Sequence, residues 1–161
     1  MHSVPATEWA RQARPGQVLA IGGPRGSFIV PTDFDWHLLI GDATALPAIA
    51  RRLEELPADA PAIALIEVEE PADALALRTG SGATVHWIHR SEQAQDNALV
   101  PALARIDFPA GDYHAWIGCE SATAKRLREM LIAERGANPK WVRASGYWRR
   151  GAAGTHDSFD E

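Results

Sequence analysis

Short apolar runs alternate with stretches of helical spacing along this sequence, and that alternation restricts its fold more than any other feature. WHLLI at 36–40 stops at Gly41, AIALI at 62–66 leads into an acidic turn, and TVHWI at 84–88 makes a third run. Residues 113–117 and 141–144 supply a fourth and a fifth. Between the first two, Leu46, Ile49, Ala50, Leu53 and Leu56 fall at helical spacing, with Thr44 as N-cap and Pro57 as stop. Residues 96–106 have helical character. The clearest helix covers 121–135, where Leu127, Met130, Leu131 and Glu134 set the faces and Gly136 and Pro139 close it. Alternation of this kind needs parallel βαβ units, and near-continuous apolar strands belong to a sheet covered on both faces. The expected fold is α/β, a small doubly wound parallel sheet of five strands over residues 35–151. A further short apolar run, VLAI at 18–21, precedes it; residues 146–161 are Gly-rich, polar and acidic at the end, and 152–161 are expected to be a flexible tail.

Composition excludes several classes. Hydrophobic residues make up 46% of 161, enough for a packed core. Sixteen basic against twenty-one acidic residues leave a net charge of -5, so no nucleic-acid partner is expected. One cysteine, Cys119, rules out an internal disulfide. The opening MHSVPATEWARQARPG has no uninterrupted apolar stretch, and no run approaches the ~18 residues of a membrane helix. A cytoplasmic protein with no membrane partner is the expectation.

In open parallel sheets ligands bind outside the carboxyl ends of the strands, near the reversal of strand order. That rule selects Gly41-Asp42-Ala43-Thr44, the acidic residues 67–70, His89-Arg90-Ser91 and Gly118-Cys119-Glu120-Ser121. The first strand–helix turn is either a phosphate site at a helix N-terminus or a plain capped turn, since it lacks GxGxxG. Arg90 either grips a phosphate or lies in an exposed loop. Cys119 reads as a small buried residue near a cofactor rather than a nucleophile. Histidines 37, 86, 89 and 114 have no Cys or carboxylate at ligand spacing, so no metal site is expected. Tyr147 and Trp148, beside Arg149 and Arg150, either stack on a planar cofactor or cap the sheet.

Four segments together resemble the siderophore-interacting protein family: GPRGSF at 23–28, GDATALPAI at 41–49, ALIEV at 64–68 and SGYWRRG at 145–151. The resemblance implies a ferredoxin-reductase-like NAD(P)H-binding domain behind a remnant, residues 1–34, of an FAD-binding β-barrel. It implies that Gly41, Asp42, Thr44, Ala45 and Leu46 line the pyrophosphate and nicotinamide end of NAD(P)H. Gly118, Cys119 and Glu120 would face the nicotinamide, and Tyr147 and Trp148 would lie at the flavin–nicotinamide junction. Ala6 and Thr7 would start the helix that receives the flavin pyrophosphate, and Arg149 or Arg150 would bind an anionic ferric siderophore. Hydride would pass from NAD(P)H to FAD and single electrons to siderophore-bound Fe(III), with FAD held only if the missing barrel is supplied. Glu67 and Glu69 suit NADH while Arg90 suits NADPH, with a slight lean to NADPH. The alternative is a non-catalytic binding or regulatory module that kept the fold and lost the flavin domain. An exposed edge on the barrel remnant would serve self-association under that alternative and a flavin-domain partner under the first reading.

Overall fold

The computed structural model describes residues 5–23, 29–79, 82–90, 98–152 and 157–159, the side chains of 5–7 excepted. The chain divides into two compact units, Met1–Pro31 and Thr32–Glu161.

Among its described residues the N-terminal unit contains one helix, α1 (Pro5–Gln12), tied on its surface by Gln12 to Glu8. The apolar run at 18–21 forms no strand, and Val18 and Ile21 are exposed. A strand needs a neighbour to take its backbone hydrogen bonds, and none of the described residues supplies one here. Most of the GPRGSF segment, residues 24–28, lies outside the described residues.

The second unit runs β1 (Trp36–Asp42), α2 (Leu46–Glu55), β2 (Ala62–Val68), β3 (Ala83–His89), α3 (Leu99–Arg105), β4 (Tyr113–Glu120), α4 (Ser121–Arg135), β5 (Val142–Trp148) and β6 (Asp157–Ser158). The strands form one sheet in the order β3-β2-β1-β4-β5-β6, parallel except for the β5–β6 pair. The fold is thus doubly wound α/β, as the alternation implies, with strand order reversing between β1 and β4. Side chains alternate across the sheet. Leu38, Ile40, Ile63 and Leu65 pack with Leu99 and Leu103 of α3 and Leu127 and Leu131 of α4. Leu39, Ala64 and Ile66 face Ile49 and Leu53 of α2 on the other side. Each of these large side chains contributes roughly 1.5–3 kcal/mol by leaving water.

Local chemistry sets the element ends. Pro47 suits the first turn of α2, and Leu56 turns extended ahead of Pro57. Thr44 is not the cap: Ala45 holds that position, and the Thr44 hydroxyl is taken by Asp42. Helix α4 begins where the Glu120 carboxylate accepts the Thr123 N–H at 3.0 Å and ends at Gly136, whose φ of 66° is left-handed. Helix α3 starts at Leu99, and residues 91–97 before it are outside the described set.

The carboxyl-terminal end differs from the expected tail. Strand β5 continues through Trp148, and Asp157–Ser158 adds a sixth, antiparallel strand. Asp157 supplies the reason: its Oδ2 accepts from Arg149 Nη2 at 2.8 Å and lies 2.6 Å from the Ser121 hydroxyl. Trp141 sits in a short 3-10 turn, Pro139–Trp141, before β5 rather than in the strand.

Two packing features predict measurable behaviour. A Cβ on Gly41 would lie 2.7 Å from the Ala45 Cβ and 2.8 Å from the Gly118 carbonyl oxygen. Gly41→Ala should therefore cost about 1–3 kcal/mol, read as a drop of several degrees in melting temperature. An unchanged melting temperature would mean that α2 does not sit this close to the sheet. The second feature is the histidine pair His37 and His114, opposite each other on β1 and β4 and both buried. Burial, then His37, Arg52 and Arg143, lowers His114 to about 4, and burial and Arg52 lower His37. Both rings are neutral in the fold, while the unfolded chain takes up protons below about pH 6.5. Stability is full above that pH and falls toward pH 4, by about 2 kcal/mol for His114 between pH 7 and pH 5. Urea unfolding at both pH values checks this, and His114→Gln should flatten the dependence.

Candidate functional site

The carboxyl ends of the parallel strands open onto a cleft of about 570 Å³. Asp42, Ala43, Thr44 and Leu46 form one side, following β1. Glu67, Val68 and Glu69 follow β2, Arg90 follows β3, and Trp148 closes the end at β5. The short 3-10 turn Pro71–Asp73 and Leu75 complete the wall.

Asp42 is almost fully buried, and both its oxygens are engaged. Oδ1 accepts the Thr44 N–H at 2.9 Å and the Thr44 hydroxyl, while Oδ2 accepts the Trp148 indole N–H at 2.8 Å. The turn into α2 and the end of β5 are thereby joined across the strand-order reversal. Helix α2 starts directly behind this turn, and amides in a helix's first turn have no partner within the helix. Because Pro47 carries no N–H, Leu46 and Ala48 are the donors available there.

Glu67 is equally buried and carries the opposite wall. Its Oε1 accepts from Arg90 Nε at 2.9 Å and from Nη2, and its Oε2 accepts the Ala98 N–H at 3.1 Å. Arg90 Nη1 also lies 3.5 Å from Glu69. The hydrogen bond that Arg90 donates to Glu67 strengthens its hold on its charge. Both buried carboxylates are thus engaged by structural partners.

The expected residues divide clearly. Asp42, Thr44, Leu46, Arg90 and Trp148 line the cleft together. Gly41 and Ala45 lie beneath it, where α2 meets the sheet. Gly118 packs against the Trp116 ring and Ala45. Cys119 is buried in the core, and burial with the carboxylates of Asp42, Glu120 and Glu67 pushes its thiol far above the usual range. It is not a nucleophile. Glu120 caps α4, and Tyr147 stands edge-on to Trp116 at 6.0 Å. Arg149 pairs with Asp157, and neither Arg149 nor Arg150 lines the cleft. Ala6 and Thr7 are in α1 and Ser91 is outside the described residues; the side chains of all three are undescribed. Sequence reasoning missed Ala72, Asp73 and Leu75. The available signal was Glu70-Pro71-Ala72-Asp73, whose ends cap one another in the short turn.

Comparison with known proteins agrees with this architecture. Residues 34–151 match the family described as siderophore-interacting protein, and residues 1–28 match the siderophore-interacting FAD-binding domain. An NADPH-dependent ferric-chelate reductase from Escherichia coli is 39% identical over 146 residues, covering 89% of this chain and 56% of the relative. Ferric vibriobactin reductase ViuB from Vibrio cholerae is 28% identical over 149 residues, covering 91% of this chain and 55% of the relative. The chain thus spans about half the length of these curated relatives. The crystal structure of a siderophore utilization protein from T. fusca superposes with a TM-score of 0.84 at 39% identity, over 96% of this chain and 60% of the other. With the larger match covering the whole parallel sheet up to the end of β5, this chain belongs to the siderophore-interacting protein family.

Proposed function

We propose that the second unit is the NAD(P)H-binding part of a ferric-siderophore reductase, and that the cleft at the strand-order reversal is the dinucleotide site. The observation that carries the reading is the position of that cleft, at the carboxyl ends of β1, β2, β3 and β5, in a chain of this family. Its size falls within the range of small-molecule and cofactor sites. The α2 amides would receive the pyrophosphate, and the apolar surfaces of Leu46, Val68 and Leu75 would take the planar groups. Trp148 fixes Asp42, and with it the turn that precedes the amide donors.

Bound NAD(P)H would supply the hydride, and the reaction proposed for the complete reductase is reduction of siderophore-bound Fe(III), which loosens the chelate. The chain's own part is to hold the dinucleotide. A flavin does not fit the described residues by themselves. Among its described residues the N-terminal unit, although matched to the FAD-binding domain, offers one helix and exposed apolar residues and no barrel. FAD would therefore be held by a further domain. We place the reaction in the cytoplasm, where reduced nicotinamide is available; among the described residues no helix is long and apolar enough to cross a membrane.

Calorimetric titration with NADH, NADPH and FAD is the direct test. Saturable binding of a reduced nicotinamide dinucleotide is expected, and FAD should not bind this chain alone. Failure of both dinucleotides to bind would remove the reading. A second expectation concerns Trp148→Phe, which keeps the ring and deletes the N–H to Asp42. Dinucleotide affinity should drop roughly tenfold, the equivalent of one hydrogen bond to a charged group. Tryptophan fluorescence should lose much of its nucleotide-dependent change in the same variant, and an unaltered response would place the ligand elsewhere.

A further inference from the structure

Strand β6 does more than extend the sheet. It pairs along the outer edge of β5, Ser145 with Ser158 and Gly146 with Asp157. The Phe159 N–H donates to the Ala144 carbonyl at 2.9 Å, and the Phe159 side chain packs against the core. Trp148, whose indole reaches Asp42, sits two residues past the last of these pairs. On the opposite edge of β5 the ladder with β4 is irregular at this point. Cys119 pairs with Gly146 and Glu120 with Trp148, a shift of register that falls across Tyr147. Such an irregularity disrupts the ladder locally. Pairing with β4 therefore fixes Trp148 less firmly than the residues before it, and further restraint falls to β6.

Asp157 supplies that restraint on both sides of the peptide joining Trp148 to Arg149. Its Oδ2 accepts from Arg149 Nη2 at 2.8 Å and lies 2.6 Å from the Ser121 hydroxyl, which is also 3.1 Å from the Trp148 carbonyl oxygen. A hydroxyl has one proton to give, and a carboxylate at the shorter distance outcompetes a neutral carbonyl for it. With β6 in place, the buried Ser121 is turned to Asp157; with β6 released, the same proton goes to the Trp148 carbonyl. Release would also detach the Arg149 guanidinium from that carboxylate. The peptide that carries the indole thus has two arrangements, and Asp157 selects one.

We propose that β6 is a strap and Asp157 a positioning residue for the cleft: while the strap is attached, the Trp148 indole stays on Asp42 and the turn into α2 keeps the shape that receives a ligand. The consequence for ligand binding rests on the nucleotide reading above, whereas the consequence for the indole does not. Coupling between two sites is reciprocal, so a dinucleotide bound in the cleft would also hold the strap down.

The test has a ligand-free arm and a binding arm. Exchange of the tryptophan indole protons is followed by NMR in the unaltered chain and in Asp157→Ala, with Trp148→Phe to assign the Trp148 signal. In Asp157→Ala the Trp148 indole proton should exchange at least about tenfold faster, while that of Trp36, buried in the core, stays as it was. Asp157→Asn, which keeps an acceptor oxygen for Ser121, should fall between. Acceleration of both indoles in the two variants alike is general loosening and overturns the proposal, as does no change at Trp148. In the binding arm, NADH and NADPH are titrated in parallel. Asp157→Ala should weaken dinucleotide binding by about three- to tenfold, yet cost nothing further in the Trp148→Phe background, because both changes act on one bond. No loss of affinity, or full additivity of the two changes, overturns the positioning role. Absence of dinucleotide binding to the unaltered chain removes the nucleotide reading, and with it any role in binding, while the indole exchange still decides whether the strap holds Trp148.

Discussion

The bond from the Trp148 indole to Asp42 holds together two parts of the sheet that the chain itself connects only through 106 residues. Asp42 ends β1, the strand at which the order reverses, and Trp148 ends β5 beyond it. A parallel sheet hydrogen-bonds along its strands but leaves their carboxyl ends splayed, and loops must organise that surface. Here one nearly buried carboxylate does so by accepting from the turn on one oxygen and from the far strand on the other. Remove the indole donor, and a buried acceptor is left without its partner, a cost of about 1–3 kcal/mol that falls on the turn into α2.

That turn also depends on close packing beneath it. Gly41 admits no side chain because Ala45 and Ile49 of α2 and the Gly118 carbonyl occupy the space. The same economy recurs at the other strand end, where a Cβ on Gly146 would fall 2.2 Å from the Ser121 Oγ. Ser121 in turn stands within hydrogen-bonding distance of the Trp148 carbonyl, 3.1 Å away, and of Asp157. Small residues at the strand ends let both helices begin against the sheet, and polar contacts then lock the strand that carries Trp148. The order of cause runs from glycine to helix approach to tryptophan placement to Asp42.

How much of this was legible in the sequence follows from how local each cause is. Strands covered on both faces are mostly apolar, so β1, β2 and β4 announce themselves. Helix α4 is bounded by a side-chain cap and a left-handed glycine, both local signals, and its limits could be read directly. The extension of β5 could not, because Ser145 and Gly146 resemble a loop and are strand residues only because α4 packs on them. Strand β6 is two polar residues whose pairing depends on Asp157 reaching Ser121 and Arg149. Within the cleft, Asp42, Arg90 and Trp148 could each be singled out by position or type. Their partners could not, since the Asp42–Trp148 and Glu67–Arg90 bonds join residues distant in sequence and leave no periodic trace. Cys119 and Glu120 show the converse: being next to the site in sequence did not put them in it, because strand alternation turns one into the core and helix capping uses the other.

The two buried carboxylates also fit the role proposed for the cleft, that of holding a ligand. Carboxylates this deep in a protein are tolerated only when hydrogen-bonded and balanced by charge or dipoles. Asp42 meets that condition with neutral donors, and it lies close to the start of α2. Glu67 meets it with a guanidinium and an amide. The dinucleotide proposed for this cleft would compete with Asp42 for the helix end, so its phosphate charge would have to be carried by backbone amides placed at short range rather than by a basic surface. Such a site gains orientation from its walls, since amides fixed by a helix accept a phosphate in few geometries. In the proposed role, chemistry would come from what is bound, and the protein's control over it would lie in where the walls hold it.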